Sequence, residues 1–237
     1  MHKSSYDEMR RVLARYLAER HEDTTLRSSD IPALRSSATT AGEEEHCSAD
    51  TTLRSSPLRS TRATQCGAES LRSTRPLRIL DVGSRQMRED GFGKTYRDLM
   101  AEGTALLELR SAEQSPLPAR AWRYTGCDVA AGPNVDLVQL GPYLIQEEGG
   151  QYDVVISGQC LEHVENPFLL VQEMGRMCRP GGLVILTAPW EWHYHPHPLD
   201  CWRILPDGMR ALLKFAQLDI LEAYLVEKDC WGIGRAT

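Results

Sequence analysis

Two acids and a run of histidines are the residues of this chain best placed to do chemistry. Asp81 follows the largely apolar run Leu77-Arg78-Ile79-Leu80, and Gly83 stands two places beyond it. An acid at the tip of a buried strand, followed by a glycine, suits a small polar ligand. The carboxylate accepts hydrogen bonds, and the glycine lets the backbone come close and take φ angles closed to other residues. Asp128 ends a second run, Tyr124-Thr125-Gly126-Cys127-Asp128, where a carboxylate can accept two hydrogen bonds from ribose hydroxyls. A further run, Tyr152-Asp153-Val154-Val155-Ile156-Ser157, leads into Gly158-Gln159-Cys160-Leu161-Glu162-His163-Val164. Later, Trp190-Glu191-Trp192-His193-Tyr194-His195-Pro196-His197-Pro198 carries three alternate histidines. In an extended segment all three would point to one side, and imidazole is a good metal ligand. Pro196 and Pro198 stiffen the segment, however, and no acid-rich partner motif accompanies it. The expectation is a loop over the site, with no metal.

These residues need elements to hold them. From Leu77 on, strand-like and helix-like segments alternate. Strands are expected at Leu77–Val82, Trp122–Asp128, Val135–Leu140, Tyr152–Ser157, Leu183–Ala188 and Asp219–Val226. Helices are expected at Tyr96–Leu107, Pro167–Met177 and Pro206–Ala216. Such alternation implies an α/β fold, a doubly wound and mostly parallel sheet with helices on both faces. Ligands bind such sheets at the carboxyl ends of the strands, where strand order reverses. Asp81, Asp128 and Ser157 all sit at such ends.

Ahead of this domain, Tyr6–Glu19 reads as a helix, with Met9, Val12, Leu13, Tyr16 and Leu17 on one face. Residues 1–21 are expected to dock as a flap. The character then changes. Thr24-Thr25-Leu26-Arg27-Ser28-Ser29 returns as Thr51-Thr52-Leu53-Arg54-Ser55-Ser56, with shorter echoes at irregular spacing. A solenoid needs a fixed period, and this tract has too few large apolar residues to offset its ordering entropy. Residues 22–75 are therefore expected to be a disordered insert, and residues 76–237 to form the main domain.

Composition narrows the function. The 237 residues are 25% charged and 41% hydrophobic, with a net charge of -6. An acidic chain is not expected to bind nucleic acid generally. No apolar run approaches a bilayer span, and the N-terminus lacks a signal-peptide core, so no membrane association and a cytoplasmic location are expected. Seven scattered cysteines with no C-x-x-C pair fit reduced thiols.

The ordered series Asp81-Val82-Gly83, Asp128, Leu161-Glu162-His163-Val164 and Arg179-Pro180-Gly181-Gly182 before an apolar strand resembles the class I S-adenosylmethionine-dependent methyltransferases. The likeness runs from about Leu77 to Trp231. His197-Pro198-Leu199-Asp200-Cys201-Trp202-Arg203 also looks like a subgroup of these small enzymes. The resemblance implies S-adenosylmethionine as cofactor and methyl transfer to a small-molecule or glycan acceptor. By position it implies that Asp81, Gly83 and Ser84 line the methionine part, that Asp128 holds the ribose, and that Pro142 and Tyr143 lie near the adenine. Ser157, Gly158 and Gln159 would form the floor under the sulfonium, with Leu161, Glu162 and His163 beside it. A base is needed only if the acceptor must lose a proton. His163, His193 and His195 are the candidates, although the plainer reading of His163 is a structural histidine.

The chain departs from the family pattern in two places. Arg85 and Met87 replace later glycines of the usual D-x-G-x-G-x-G loop, so a longer loop, Arg85 to Lys94, is expected to wrap the cofactor. The last strand is expected to be short or degenerate, with Asp229-Cys230-Trp231-Gly232-Ile233 as its remnant. These departures keep open a non-catalytic binding or scaffold protein. A metal-dependent hydrolase using His193, His195 and His197 is a more distant alternative. Gly91-Phe92-Gly93-Lys94-Thr95 imitates the end of a phosphate-binding loop, but the required earlier glycine is Arg88. A triphosphatase is not expected, and the missing two-glycine fingerprint argues against a dehydrogenase.

Overall fold

The structure is a computed structural model and describes residues 3–26, 76–86, 94–102 and 122–237, with the side chains of the first helix covered from Ser5 to Tyr16. The chain divides into two compact units, Met1–Tyr16 with Thr74–Thr237, and Leu17–Ser73. The second comprises helical backbone as far as Leu26 and otherwise residues outside the described set. The first holds a seven-stranded sheet.

Its strands are β1 (Leu77–Val82), β2 (Trp122–Asp128), β3 (Leu137–Val138), β4 (Tyr152–Gly158), β5 (Cys178–Pro189), β6 (Asp219–Val226) and β7 (Asp229–Arg235). The spatial order is β3-β2-β1-β4-β5-β7-β6. The first five strands run parallel, and β7 is antiparallel to both β5 and β6. The helices are α1 (Lys3–Leu26), α2 (described over residues 96–102), α3 (Pro167–Met177) and α4 (Pro206–Phe215).

The pleat sorts the apolar residues onto two faces, because successive side chains of a strand point oppositely. Leu80, Val155, Val184 and Leu186 join Val171 and Met174 of α3 and Met209, Leu212 and Leu213 of α4 in one cluster. Ile79, Val154, Ile156, Leu183 and Ile185 join Met9, Val12, Leu13 and Tyr16 of α1 and Leu99 and Met100 of α2 in the other. The apolar stripe read from the α1 sequence is thus buried against the sheet. Continuous apolar runs in β1, β4 and β5 reflect coverage on both faces.

Local signals set the helix starts. Thr95 and Asp98 cap α2 reciprocally: the Thr95 amide donates to Asp98 Oδ2 at 2.7 Å, and the Asp98 amide donates to Thr95 Oγ1 at 3.3 Å. Asn166 caps α3, accepting from the Leu169 amide at 3.4 Å, and proline occupies the first turn of both α3 and α4.

Four expected boundaries shift. Helix α1 continues to Leu26, past the boundary expected at residue 21, through a stretch whose Leu17, Ala18, Glu19 and Arg20 are good helix formers. The rest of the repeat tract, residues 27–75, lies outside the described residues. Strand β3 has only two residues, because the Asp136 carboxylate takes the Gly126 amide at 2.8 Å where a longer ladder would run. Strand β5 begins at Cys178, well before the expected Leu183. The last strand is not degenerate: β7 is seven residues long, buried except for a partly covered Arg235, and paired on both sides. Its glycines hide it in the sequence, yet they are what α4 needs. A Cβ on Gly232 would stand 3.1 Å from Met209, and one on Gly234 would stand 3.0 Å from Leu213. Glycine in a strand here marks close approach of a helix.

Candidate active site

Strand order reverses between β1 and β4, and a cleft of about 800 Å³ opens there at the carboxyl ends of the strands. Asp81 and Asp128, the tips of β1 and β2, both line it. So do Gly83, Ser84, Pro142, Tyr143, Gly158 and Gln159, together with His163 and His195. Ser157 and Leu161 are fully buried and back the cleft from the core. His193 is exposed and is not among the lining residues.

Asp81 is only 4% exposed, and its carboxylate accepts a hydrogen bond from the Tyr124 hydroxyl. Asn134 steadies that tyrosine, donating from Nδ2 to Tyr124 Oη at 3.2 Å and to the Ser84 carbonyl at 2.9 Å. Gly83 turns the chain with φ of 82°, and its amide and that of Ser84 both donate to the Cys127 carbonyl, at 2.8 and 3.1 Å. A side chain at Gly83 would be strained, and its Cβ would sit 2.4 Å from Cys160 Sγ. Asp128 accepts the Arg85 amide at 3.1 Å and the Ala130 amide at 3.3 Å, which fixes the carboxylate at the cleft edge. Loop residues 87–93 lie outside the described set.

The floor is tied to the N-terminal helix. Gln159, at φ of 55°, donates from Nε2 to Asp229 Oδ1 at 2.9 Å, and Ser5 Oγ donates to the other oxygen of the same buried acid. Under Gly158 lies the Tyr96 ring, which a Cβ there would strike at 2.5 Å. The Tyr96 hydroxyl is buried and has no hydrogen-bond partner among the described residues.

The cleft also holds a compact polar group. Glu162 is fully buried, and neither carboxylate oxygen has a hydrogen-bond partner among the described residues. Burial, with Asp229 adding to it, pushes its pKa up to about 8. His163 Nδ1 lies 2.6 Å from the Leu199 carbonyl, so Nδ1 carries the proton and Nε2 is left as the lone pair, 3.6 Å from Glu162 Oε1. Burial lowers the pKa of His163. His195 Nδ1 faces only oxygens, the His193 carbonyl at 3.0 Å and Asp200 Oδ2 at 3.2 Å, so it too carries the proton. Asp200 is held by Arg203 through contacts of 2.6 and 2.8 Å and by the His195 amide at 2.7 Å. Arg203 thus pairs with a protein carboxylate.

The rings of His193, His195 and His197, the trio of the more distant metal reading, follow one another at 5.8 and 6.1 Å, but His193 does not reach the cleft. His195 and His197 line the cleft with His163, their ring centroids 4.9 and 5.9 Å from it, while His193 stays outside. Arg203 anchors the start of this segment, donating to the Trp192 carbonyl at 3.2 Å and to the His193 carbonyl at 2.9 Å.

Sequence reading missed Thr95, Tyr96, Asn134 and Gln139, all of which line the cleft, as does Lys94 at the end of the expected wrapping loop. The T-x-x-D cap at Thr95 was a legible signal for a helix start beside β1. Nothing local marks Asn134, in the turn before β3, or Gln139, just after it.

Asp81 also sets a pH dependence. Burial raises its pKa from the ordinary 3.8 to about 7, against the opposing Tyr124 hydrogen bond. Between those values the folded chain binds a proton that the unfolded chain does not, so stability falls as pH rises from about 4 to about 7 and then levels off with respect to this group. The loss is on the order of 4 kcal/mol. Urea unfolding at several pH values should show this slope, and Asp81→Asn should flatten it; an identical slope in the variant would refute the assignment.

Known proteins agree with the geometry. A family model described as a methyltransferase domain matches residues 60–209, more than half of the chain. The chain is 28% identical over 167 residues to a ubiquinone biosynthesis O-methyltransferase of Acinetobacter baylyi, covering 66% of each protein. It is 29% identical over 121 residues to one from Azorhizobium caulinodans, covering 51% of this chain and 44% of that protein. The chain therefore spans between about half and two thirds of the length of these relatives. Among solved structures it is similar to a SAM-dependent methyltransferase from Aquifex aeolicus (12% identity, 70% of this chain and 85% of that one, TM-score 0.47). It is also similar to the Burkholderia thailandensis 1,6-didemethyltoxoflavin-N1-methyltransferase (15% identity, 69% and 72%, TM-score 0.49). No helix among the described residues is long and apolar enough to cross a membrane. With the family match over most of the sheet and the strand order already described, this chain belongs to the methyltransferase-domain family and has the class I S-adenosylmethionine-dependent methyltransferase fold.

Proposed function

We propose that this chain transfers the methyl group of S-adenosylmethionine to an oxygen of a small-molecule acceptor. One observation carries the reading: Asp81 and Asp128, from adjacent strand tips, share one cleft at the switch point. In this reading Asp128 accepts from the ribose hydroxyls, and Pro142 and Tyr143 flank the adenine. Asp81, Gly83 and Ser84 take the methionine part, and the unpartnered Tyr96 hydroxyl is available to its polar end. Gly158 and Gln159 line the floor, stiffened from behind by Ser157 and Leu161. The oxygen acceptor is supported by the relatives, whose names describe O-methyl transfer. No comparison favours a glycan.

The reaction asks mainly for alignment. The S–CH3 bond breaks with its electron pair staying on sulfur, which becomes a neutral thioether, while an O–CH3 bond forms on the opposite side of the carbon. Holding oxygen, carbon and sulfur in line in a dry cleft supplies much of the rate. The acceptor hydroxyl must also lose its proton. His163 and His195, which line the cleft with Nδ1 turned to oxygen acceptors, can take up that proton at Nε2 or ease its release; His193 does not line the cleft.

Calorimetry with S-adenosylhomocysteine, followed by transfer of labelled methyl to panels of hydroxylated and amino compounds, tests the proposal. Binding and O-methylated product are expected. No heat with either cofactor or its demethylated product would end the reading, and binding without turnover on any acceptor would favour the non-catalytic alternative.

A further inference from the structure

We propose that Glu162, His163 and His195 form a divalent-cation site in the cleft, just beyond the carboxyl end of β4. One ligand atom from each lies within 4.8 Å of the other two. That is a spacing a single ion can draw together with small side-chain movements.

Three independent features point to an ion rather than to a chance cluster. The first is Glu162, which is fully buried with both carboxylate oxygens unpartnered among the described residues. A buried carboxyl is costly unless something satisfies its oxygens, and a cation does so. The second is the tautomer of both histidines. His163 gives its Nδ1 proton to the Leu199 carbonyl, and His195 directs its own at the His193 carbonyl and Asp200. In the neutral rings this leaves each Nε2 as the lone pair that a cation would take. Metal-bound histidines have this arrangement, with an oxygen acceptor on the other nitrogen fixing the ring. The third is the support behind that shell. Asp200 is held by two contacts from Arg203 and by the His195 amide, so the His195 ring is braced before any ion arrives.

The donor set names the class of ion. Two imidazole nitrogens and one carboxylate oxygen suit zinc, cobalt, iron or manganese better than the oxygen-seeking calcium or magnesium. Three protein ligands leave positions open, and the cleft is where they open. His197, with its ring centroid 6.1 Å from that of His195, is close enough to flank them. From sequence this loop is expected to cover the site with no metal, and the distant metal alternative used His193, His195 and His197; the tertiary structure groups His195 with His163 and Glu162 instead.

If the methyl-transfer reading holds, on which this consequence rests, the ion also names the acceptor. A hydroxyl bound at an open position loses its proton more readily, as metal-bound water does. An acceptor with a second oxygen beside that hydroxyl would chelate the ion and be oriented by it. The proton leaves to solvent, the O–CH3 bond forms, and the sulfonium becomes a thioether.

The test uses the full chain, stripped with chelator and titrated with cobalt(II) while the visible absorption of the bound ion is followed. One ion per chain is expected. H163Q and H195Q should each weaken cobalt binding about 100-fold, and D200N, which acts only through His195, about 10-fold. S-adenosylhomocysteine calorimetry on the same samples reports that the cleft is still folded. Cobalt refused by wild-type chain that still binds S-adenosylhomocysteine overturns the ion site and leaves the methyl-transfer reading standing. Cobalt bound as tightly by an H163Q/H195Q double variant overturns it as well, by assigning the ion to other residues. Cobalt bound as expected by a chain that does not bind S-adenosylhomocysteine upholds the ion site and removes the acceptor argument.

Discussion

Replacing Asp128 with alanine is expected to weaken S-adenosylhomocysteine binding on the order of 100-fold. The carboxylate sits at the tip of β2, where it is partly exposed and already fixed by the amides of Arg85 and Ala130. Those bonds use some of its lone pairs and leave others directed at the cleft. Two ribose hydroxyls donating to them would form charge-assisted bonds, each contributing about 1.5–3 kcal/mol. Losing both corresponds to about 3 kcal/mol or more, which is a hundredfold or greater change in affinity. Asp128→Asn keeps the shape and one acceptor oxygen, so it should retain part of the affinity. Calorimetry on the three proteins, each with its unfolding midpoint measured, separates loss of binding from loss of fold. Wild-type affinity in a folded Asp128→Ala variant would remove the ribose role and the cofactor reading with it.

Trp231→Ala is expected to cost about 3–5 kcal/mol of stability, the range for large aromatic side chains cut out of a core. Trp231 is fully buried in the middle of β7, paired with Thr187 of β5 and Tyr224 of β6. It belongs to the same apolar cluster as Met9, Val12 and Leu13 of α1 and Ile185 of β5. Truncation therefore opens a cavity between the sheet and the N-terminal helix. Urea unfolding should show the loss, and the thermal midpoint should drop by roughly 10 °C. A loss under about 1 kcal/mol would mean that β7 is the vestige its glycines suggest in the sequence. The same variant should slacken Gln159, because Asp229 at the start of β7 links that residue to Ser5.

The parts of the fold that were legible are those whose signal is local and periodic. Apolar runs of strand length in β1, β4 and β5, buried on both faces, could be read without knowing what lies above them. The Pro167 and Pro206 helix starts were equally plain. Strand β7 was not, because Gly232 and Gly234 look like breakers until α4 is seen lying against them. Strand β3 was overextended because its pairing ends where a side chain, Asp136, takes over a backbone amide.

In the site the division is similar. That acids would stand at the tips of β1 and β2 followed from the sequence alone, because a strand ends where its apolar run ends and parallel strands end on one side. Gly83 was legible for the same reason. The grouping of His163 with His195 and Glu162 was decided only by tertiary structure. His163 and His195 lie on separate segments, and what holds them together is Arg203 anchoring the histidine loop and Asp200 and the Leu199 carbonyl orienting the two rings. A single sequence displays periodicity and the order of strand tips because those are set by neighbours along the chain. It does not display which face of a loop turns inward, because that is set by hydrogen bonds between residues whose proximity exists only after folding.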